Sequence, residues 1–231
     1  YPSLASAAYD QGRIAAQALV NDKMLGSYTE SYLPLGNLII EMAGDEYTGY
    51  SRWLDLDNAL ACSRFIRDGV TIEKELFTSY PDKVMAVQLK ADRPGKLNFS
   101  ATLESPLRNS VWGDASAQEL VLEGKCPCHV DPPYVAVEQP VVYDGGQSNL
   151  PDTVHRGMNF RILLRAEAAG GTIVVSGSRL TVCDATSAVL LLTAADSYDG
   201  YDKEPGTQGR DPSLVTTASM AAAMRWGYVR L

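Results

Sequence analysis

The run Lys96-Leu97-Asn98-Phe99-Ser100-Ala101-Thr102-Leu103-Glu104 decides the fold class. Leu97, Phe99, Ala101 and Leu103 alternate with polar side chains, a period of two that gives a strand one dry face and one wet face. Met85, Val87, Leu89 and Ala91 alternate with Ala86, Gln88 and Lys90 in the same way. Pro94-Gly95 between the two runs reads as a turn, so they are expected to form a hairpin. A second hairpin is expected at Asp68-Gly69, because Asp-Gly supplies the positive φ angles of a two-residue loop. Its flanks run from Leu60 to Ile66 and from Val70 to Thr78.

The same pattern continues downstream. Phe160, Ile162, Leu164 and Ala166 alternate with Arg161, Arg165 and Glu167, and Gly170-Gly171 turns the chain. Short strands are expected from Thr172 to Val175, Arg179 to Val182 and Ala188 to Thr193. The continuous apolar run Val189 to Leu192 predicts a central strand covered on both faces. Between the two strand regions, Ser105 to Thr153 is rich in proline and contains Gly145-Gly146; it reads as long surface loops interrupted by one strand, Glu119 to Leu122. Residues 1–30 read as a helical lead-in. Leu4, Ala7, Ala8, Ala15, Ala18 and Leu19 recur near the helical period, with Gly12 as a break and Gly26 as a C-cap. Asp211-Pro212 starts a last helix, which is expected to reach the terminus without a cap signal. The architecture expected is mainly β, a two-sheet antiparallel β-sandwich over residues 1–210 with short N-terminal helices and a C-terminal linker helix over residues 211–231. A first residue that is Tyr1 rather than Met, and a final helix that looks cut, lead to the expectation that the chain is a piece of a longer one.

Composition narrows the partners. In 231 residues, 45% are apolar and 21% charged, which suits a globular domain with a core of its own. A net charge of -8 without any run of Lys or Arg argues against nucleic acid and anionic membrane, since both call for a basic face. No apolar stretch approaches the length of a membrane span. Cys62, Cys126, Cys128 and Cys183 are too few for a disulfide framework in a chain this long.

Several residues could carry chemistry, and each has a plainer reading. Asp55 and Asp57 share a strand face, as paired glycosidase carboxylates can, or they simply end a strand in a polar bend. Cys126, Cys128 and His129, with His155 as the remaining histidine, hint at a metal site but lack zinc spacing and a second ligand pair. Asp199, Asp202 and Glu204, in the acidic loop that also holds Asp196 and Asp211, could hold calcium, or form a solvated loop before a helix. Trp112, in a Gly- and Ser-bearing loop, is the tryptophan expected to be exposed and to contact carbohydrate; Trp53, Trp226 and the 12 tyrosines are more often core or interface anchors. No nucleophile elbow, phosphate loop or zinc-protease helix motif is present.

Ordered stretches along the chain resemble the N-terminal domain of glycoside hydrolase family 95, the α-L-fucosidases and α-L-galactosidases. They are Tyr32-Leu33-Pro34-Leu35-Gly36-Asn37-Leu38, Tyr50-Ser51-Arg52-Trp53-Leu54-Asp55-Leu56-Asp57-Asn58-Ala59, Asp68-Gly69-Val70 through Pro81-Asp82, Leu103-Glu104-Ser105, Gly157-Met158-Asn159-Phe160 and Ser197-Tyr198-Asp199-Gly200-Tyr201-Asp202-Lys203. Lys74-Glu75 stands where the family more often has Arg-Glu. The resemblance implies a non-catalytic β-sandwich joined by linker helices to an (α/α)6 barrel, absent from this chain, that carries the catalytic residues. It implies inverting, exo-acting removal of terminal α-L-fucose or α-L-galactose from glycans without a cofactor, in a secreted or periplasmic protein. No catalytic residue is transferred to this chain. The rival readings are a free-standing carbohydrate-binding module and a structural, adhesin-like sandwich.

Overall fold

The structure is a computed structural model that describes residues 12–24, 29–44, 46–143 and 157–228. The expected Gly26 cap, the first part of the lead-in, Gly145-Gly146 and His155 lie outside the described residues. In chain order, helix α1 (Gly12–Lys23) is followed by β1 (Asn37–Glu41), β2 (Thr48–Asp55), β3 (Leu60–Arg67), β4 (Val70–Ser79), β5 (Val84–Ala91), β6 (Leu97–Glu104), β7 (Arg108–Asp114) and β8 (Glu119–Lys125). Then come β9 (His129–Val130), β10 (Val141–Val142), β11 (Asn159–Ala169), β12 (Thr172–Ser176), β13 (Arg179–Ala185), β14 (Ser187–Asp196) and helix α2 (Pro212–Trp226).

Among the described residues these strands form an eight-stranded sheet in the order β2-β3-β4-β5-β14-β11-β8-β7, a four-stranded sheet β1-β6-β13-β12, and a small β10-β9 ribbon. Every pairing is antiparallel. The two larger sheets make the expected sandwich. Its core takes the alternating faces read from sequence: Leu97, Phe99, Ala101 and Leu103 of β6 are buried against Leu190 of β14, Leu120 and Leu122 of β8, and Phe160, Ile162 and Leu164 of β11. Burying each such side chain stabilises the fold by about 1.5–3 kcal/mol.

The apolar run in β14 is covered on both sides. Ala188 and Leu190 join the sandwich core, while Leu191 packs in a second cluster with Leu163, Val121, Val84 and Ala86 under Met220 and Ala223 of α2. Thr193 donates a hydrogen bond to the Thr216 carbonyl of α2 at 3.3 Å. Helix α2 is started as expected: Asp211 accepts from the Ser213 N–H at 2.8 Å and Pro212 occupies the first turn. Its end differs from expectation. Gly227, with φ 68°, closes the helix by donating its N–H to the Ala223 carbonyl. Beyond it, Tyr228 packs on Phe77 with ring centroids 5.4 Å apart and donates to Glu75 Oε2 at 3.1 Å, which ties the helix end to β4.

Two expectations need correction. Pro94-Gly95 does not close a hairpin. Both edges of β5 are already occupied, by β4 and β14, so the chain crosses at this turn to the other sheet and β6 pairs with β1 and β13. Gly170-Gly171 makes the same kind of crossing, from β11 to β12. The Ser105 to Thr153 region contains more structure than loops: β7 and β8 form an edge hairpin, and β9 pairs with β10. The Asp68-Gly69 hairpin is as expected, with φ of 50° and 71° at its two turn residues.

Gly124 on β8 lies directly opposite Phe160 on β11, whose ring fills the space a side chain would take. A Cβ there would collide with that ring and with the Arg108 carbonyl. Gly124→Ala should therefore lower stability by about 1–3 kcal/mol, the usual cost of overpacking a core. Urea unfolding measures this, and an unchanged midpoint would contradict the packing described.

Candidate functional site

The side chains singled out in sequence lie on separate elements. Trp112 sits on β7, the edge strand of the large sheet rather than in a loop, 40% exposed. Its cross-strand partner is Val121, so it shares the face that α2 covers further along. Asp55 closes the β2–β3 turn: Oδ1 accepts from the backbone of Asp57 and Asn58, and Oδ2 from the Asn58 side chain at 2.9 Å. Those bonds, led by the Asn58 side chain, hold its carboxyl below the usual range. A glycosidase acid needs the opposite shift.

The acidic loop before α2 is organised around a buried serine. The Ser197 hydroxyl donates to the Pro205 carbonyl at 2.7 Å and accepts from the Asn159 N–H at 2.9 Å. Asp199 is paired with Lys203, which lowers its pKa. Glu204 accepts from the Gly206 N–H. Asp202 stands beside Gly200. Among the described residues no group of three or more His, Cys, Asp or Glu side chains is close enough to hold a metal ion. Asp114 and Asp211 also lie below the usual carboxylate range, held there chiefly by the hydroxyl-bearing side chains of Ser116 and Ser213 respectively. These carboxylates serve turns and caps.

His129 is built into a buried polar cluster. Its Nδ1 lies 2.7 Å from Glu30 Oε1 and its Nε2 lies 3.1 Å from Asp131 Oδ1, with both His129 and Asp131 buried. The Val130 N–H donates to Glu30 Oε2, and the Ser31 N–H donates to the Val130 carbonyl, which fastens the lead-in segment to β9. Burial of the ring works against the charged form, but the bonds and charges of Glu30 and Asp131 outweigh it and raise the His129 pKa.

The cluster that sequence reading missed lies where the small sheet stops short of the large one. A cavity of about 450 Å³ opens there, walled by Tyr47, Tyr50 and Phe65, with Arg67 and Lys74 at its side and Leu89 on its floor. Tyr47 meets Tyr50 and Phe65 edge-on, with centroids 5.9 and 6.1 Å apart. Lys74 pairs across the sheet with Leu89, so it points to the core face between Ile72 and Leu76. That position was the available signal: a lysine on the dry side of an alternating strand. A second cavity of about 400 Å³ shares Met42 and Arg67 with the first and adds Arg93 and Lys96.

Comparison with known proteins gives this geometry a setting. The profile of the family described as "Glycosyl hydrolase family 65, N-terminal domain" matches residues 3–201. The chain is 28% identical over 212 residues to "Alpha-L-fucosidase 2" of Arabidopsis thaliana, covering 89% of this chain and 24% of that protein. It is 40% identical over 72 residues to "Probable alpha-fucosidase A" of Aspergillus niger, covering 30% of this chain and 9% of that protein. The chain thus spans a quarter or less of the curated relatives it matches. Among solved structures, "Putative kojibiose phosphorylase from human microbiome" aligns with a TM-score of 0.48 at 8% identity, over 85% of this chain and 26% of that one.

The His129 cluster predicts a pH dependence. A pKa raised above the unfolded value of about 6.5 adds stability that is complete below about pH 6.5 and is lost as pH rises through the folded value. The stability advantage of the native protein over Glu30→Gln, read by urea melts from about pH 5.5 to about pH 9, should shrink as pH rises. An advantage that grows with pH would contradict the assignment.

Proposed function

The chain belongs to the family of glycosyl hydrolase family 65 N-terminal domains, and on that premise we propose that it is the non-catalytic N-terminal sandwich of a hydrolase resembling family 95, one that removes terminal α-L-fucose or α-L-galactose from glycans with inversion. The observation that carries the reading is the 28% identity to a fucosidase across 89% of this chain. An inverting enzyme needs two carboxyl groups roughly 6.5–9.5 Å apart, one of them with a raised pKa. Asp55, Asp114, Asp199 and Asp211 are instead lowered and engaged in turns, a cap or an ion pair. The chemistry is therefore assigned to an (α/α)6 barrel outside this chain, with α2 as the start of the helices leading to it and no cofactor. In this reading the sandwich stabilises the barrel, and the Ser105 to Thr153 region helps to wall its pocket. Trp112, exposed on β7, is kept as a carbohydrate contact, while Asp199, Asp202 and Glu204 belong to a solvated acidic loop in which Asp199 is paired with Lys203. Glycan substrates of this kind go with a secreted or periplasmic location.

A free-standing carbohydrate-binding module is the second reading, favoured by the aromatic walls of the cleft. Hydrolysis separates the two. This chain alone should leave an aryl α-L-fucoside intact at high protein concentration, while the full-length protein that carries it should hydrolyse it and release the inverted anomer, seen by proton NMR. Turnover by the chain itself, lost in Asp55→Asn or Asp57→Asn, would overturn the assignment. An inactive full-length protein would favour the module.

A further inference from the structure

We propose that the cleft beside β1 binds an anionic saccharide, a sugar carrying a carboxylate or a sulfate ester. The proposal rests on the reading that this domain serves a glycan-processing protein. The two adjoining cavities share Met42 and Arg67 and, among the described residues, gather four cations, Lys74, Arg67, Arg93 and Lys96, against one acid, Asp68, in their walls. That concentration runs against the composition, which has 28 acidic and 20 basic residues. Among the described residues none of the four cations makes an ion pair, although the surface pairs Arg64, Arg161, Arg165, Arg179 and Arg210 with carboxylates.

Lys74 is the most telling of the four. Its cross-strand neighbours on this face are Ser63 and Leu89, and its flanking positions Ile72 and Leu76 pack in the core. Lys74 is half-buried and lines the cleft, where an anion can meet its charge. The cleft supplies room for that anion, and its size falls within the range of small-molecule sites, roughly 300–1,000 Å³. The walls fit a sugar better than a bare anion. Tyr47 and Tyr50 are 58% and 53% exposed, offering apolar ring surface to the C–H face of a pyranose and hydroxyl groups to its polar edge. Arg67, between the two cavities, can grip a carboxylate or sulfate with paired N–H donors.

The test is titration calorimetry of this chain with trigalacturonate, a sulfated galactose disaccharide, neutral galactobiose and polyglutamate. Trigalacturonate or the sulfated disaccharide should bind, and whichever binds more tightly identifies the anionic group. Neutral galactobiose should bind at least about tenfold more weakly, the scale of a charge-assisted hydrogen bond. Lys74→Met and Tyr47→Ala should each weaken binding by about tenfold or more, while Lys203→Met, on the acidic loop, leaves it unchanged. Lys74→Met should not lower the melting temperature; if it fails to fold, Arg93→Met in the turn after β5 carries the same test. Equal binding of galactobiose, equal binding of polyglutamate, or no binding of either anionic sugar would overturn the proposal. Failure here alongside fucoside turnover by the full-length protein would leave the hydrolase assignment standing. Anionic-sugar binding alongside an inactive full-length protein would remove that assignment and leave the cleft.

Discussion

Burial of β14 on both faces is the constraint on which the rest of the structure depends. Ala188, Leu190 and Leu192 fill the sandwich, and Leu191 and Thr193 meet α2. Strand β5 pairs with the Ser187–Leu192 stretch of β14 on one edge and β11 runs along the other, so this stretch is enclosed on its faces and on both edges. Everything that must be covered is then covered by two layers, the small sheet inside and the helix outside. The polar neighbours on the helix side are matched in kind: Arg161 faces Glu123 at 3.6 Å, and Arg165 faces Glu119 at 3.3 Å.

The two layers protect only the middle of an eight-stranded sheet. The small sheet has four strands and ends at β1, so the inner faces of β2, β3 and β4 emerge from under it. Strand β2 is exposed along nearly its whole length, with Tyr50, Trp53 and Leu54 about half exposed or more. Here the sheet changes from structural core to available surface, and aromatic and cationic side chains replace Leu and Val. Asp55, Asp114, Asp199 and Asp211 are held elsewhere, in turns, an ion pair and a helix cap.

Much of this was legible from residues alone. The alternation in β6 and β11, the apolar run in β14, the Asp68-Gly69 turn and the Asp211-Pro212 helix start each follow from local chemistry, and each is found. What local chemistry could not give is which edge is free. Pro94-Gly95 looks the same whether the next strand returns beside β5 or crosses to another sheet, and occupancy of β5 by β14, about a hundred residues later, decides it. The β7 strand was hidden for a related reason: Arg108, Asn109 and Ser110 break the alternation, because an edge strand is half solvated. Trp112 is exposed as read, though on a strand and not in a loop, but Trp53 and Trp226, read as anchors, are more exposed still, at 49% and 51%. The cleft was invisible because Tyr47, Phe65, Lys74 and Arg93 come from four different segments, and only the inward register of Lys74 hinted at it.

The central claim is that this domain contributes no carboxylate to bond cleavage. It is tested most directly by replacing each Asp and Glu between residues 12 and 228, one at a time, with its amide in the full-length protein and reading kcat on an aryl α-L-fucoside. The account predicts that no replacement lowers kcat by more than about tenfold in variants that remain folded, because a positioned acid or base contributes about a hundredfold or more. A folded variant with kcat reduced about a hundredfold or more, on the order expected for a lost acid or base, would contradict it and place an active carboxylate within the sandwich.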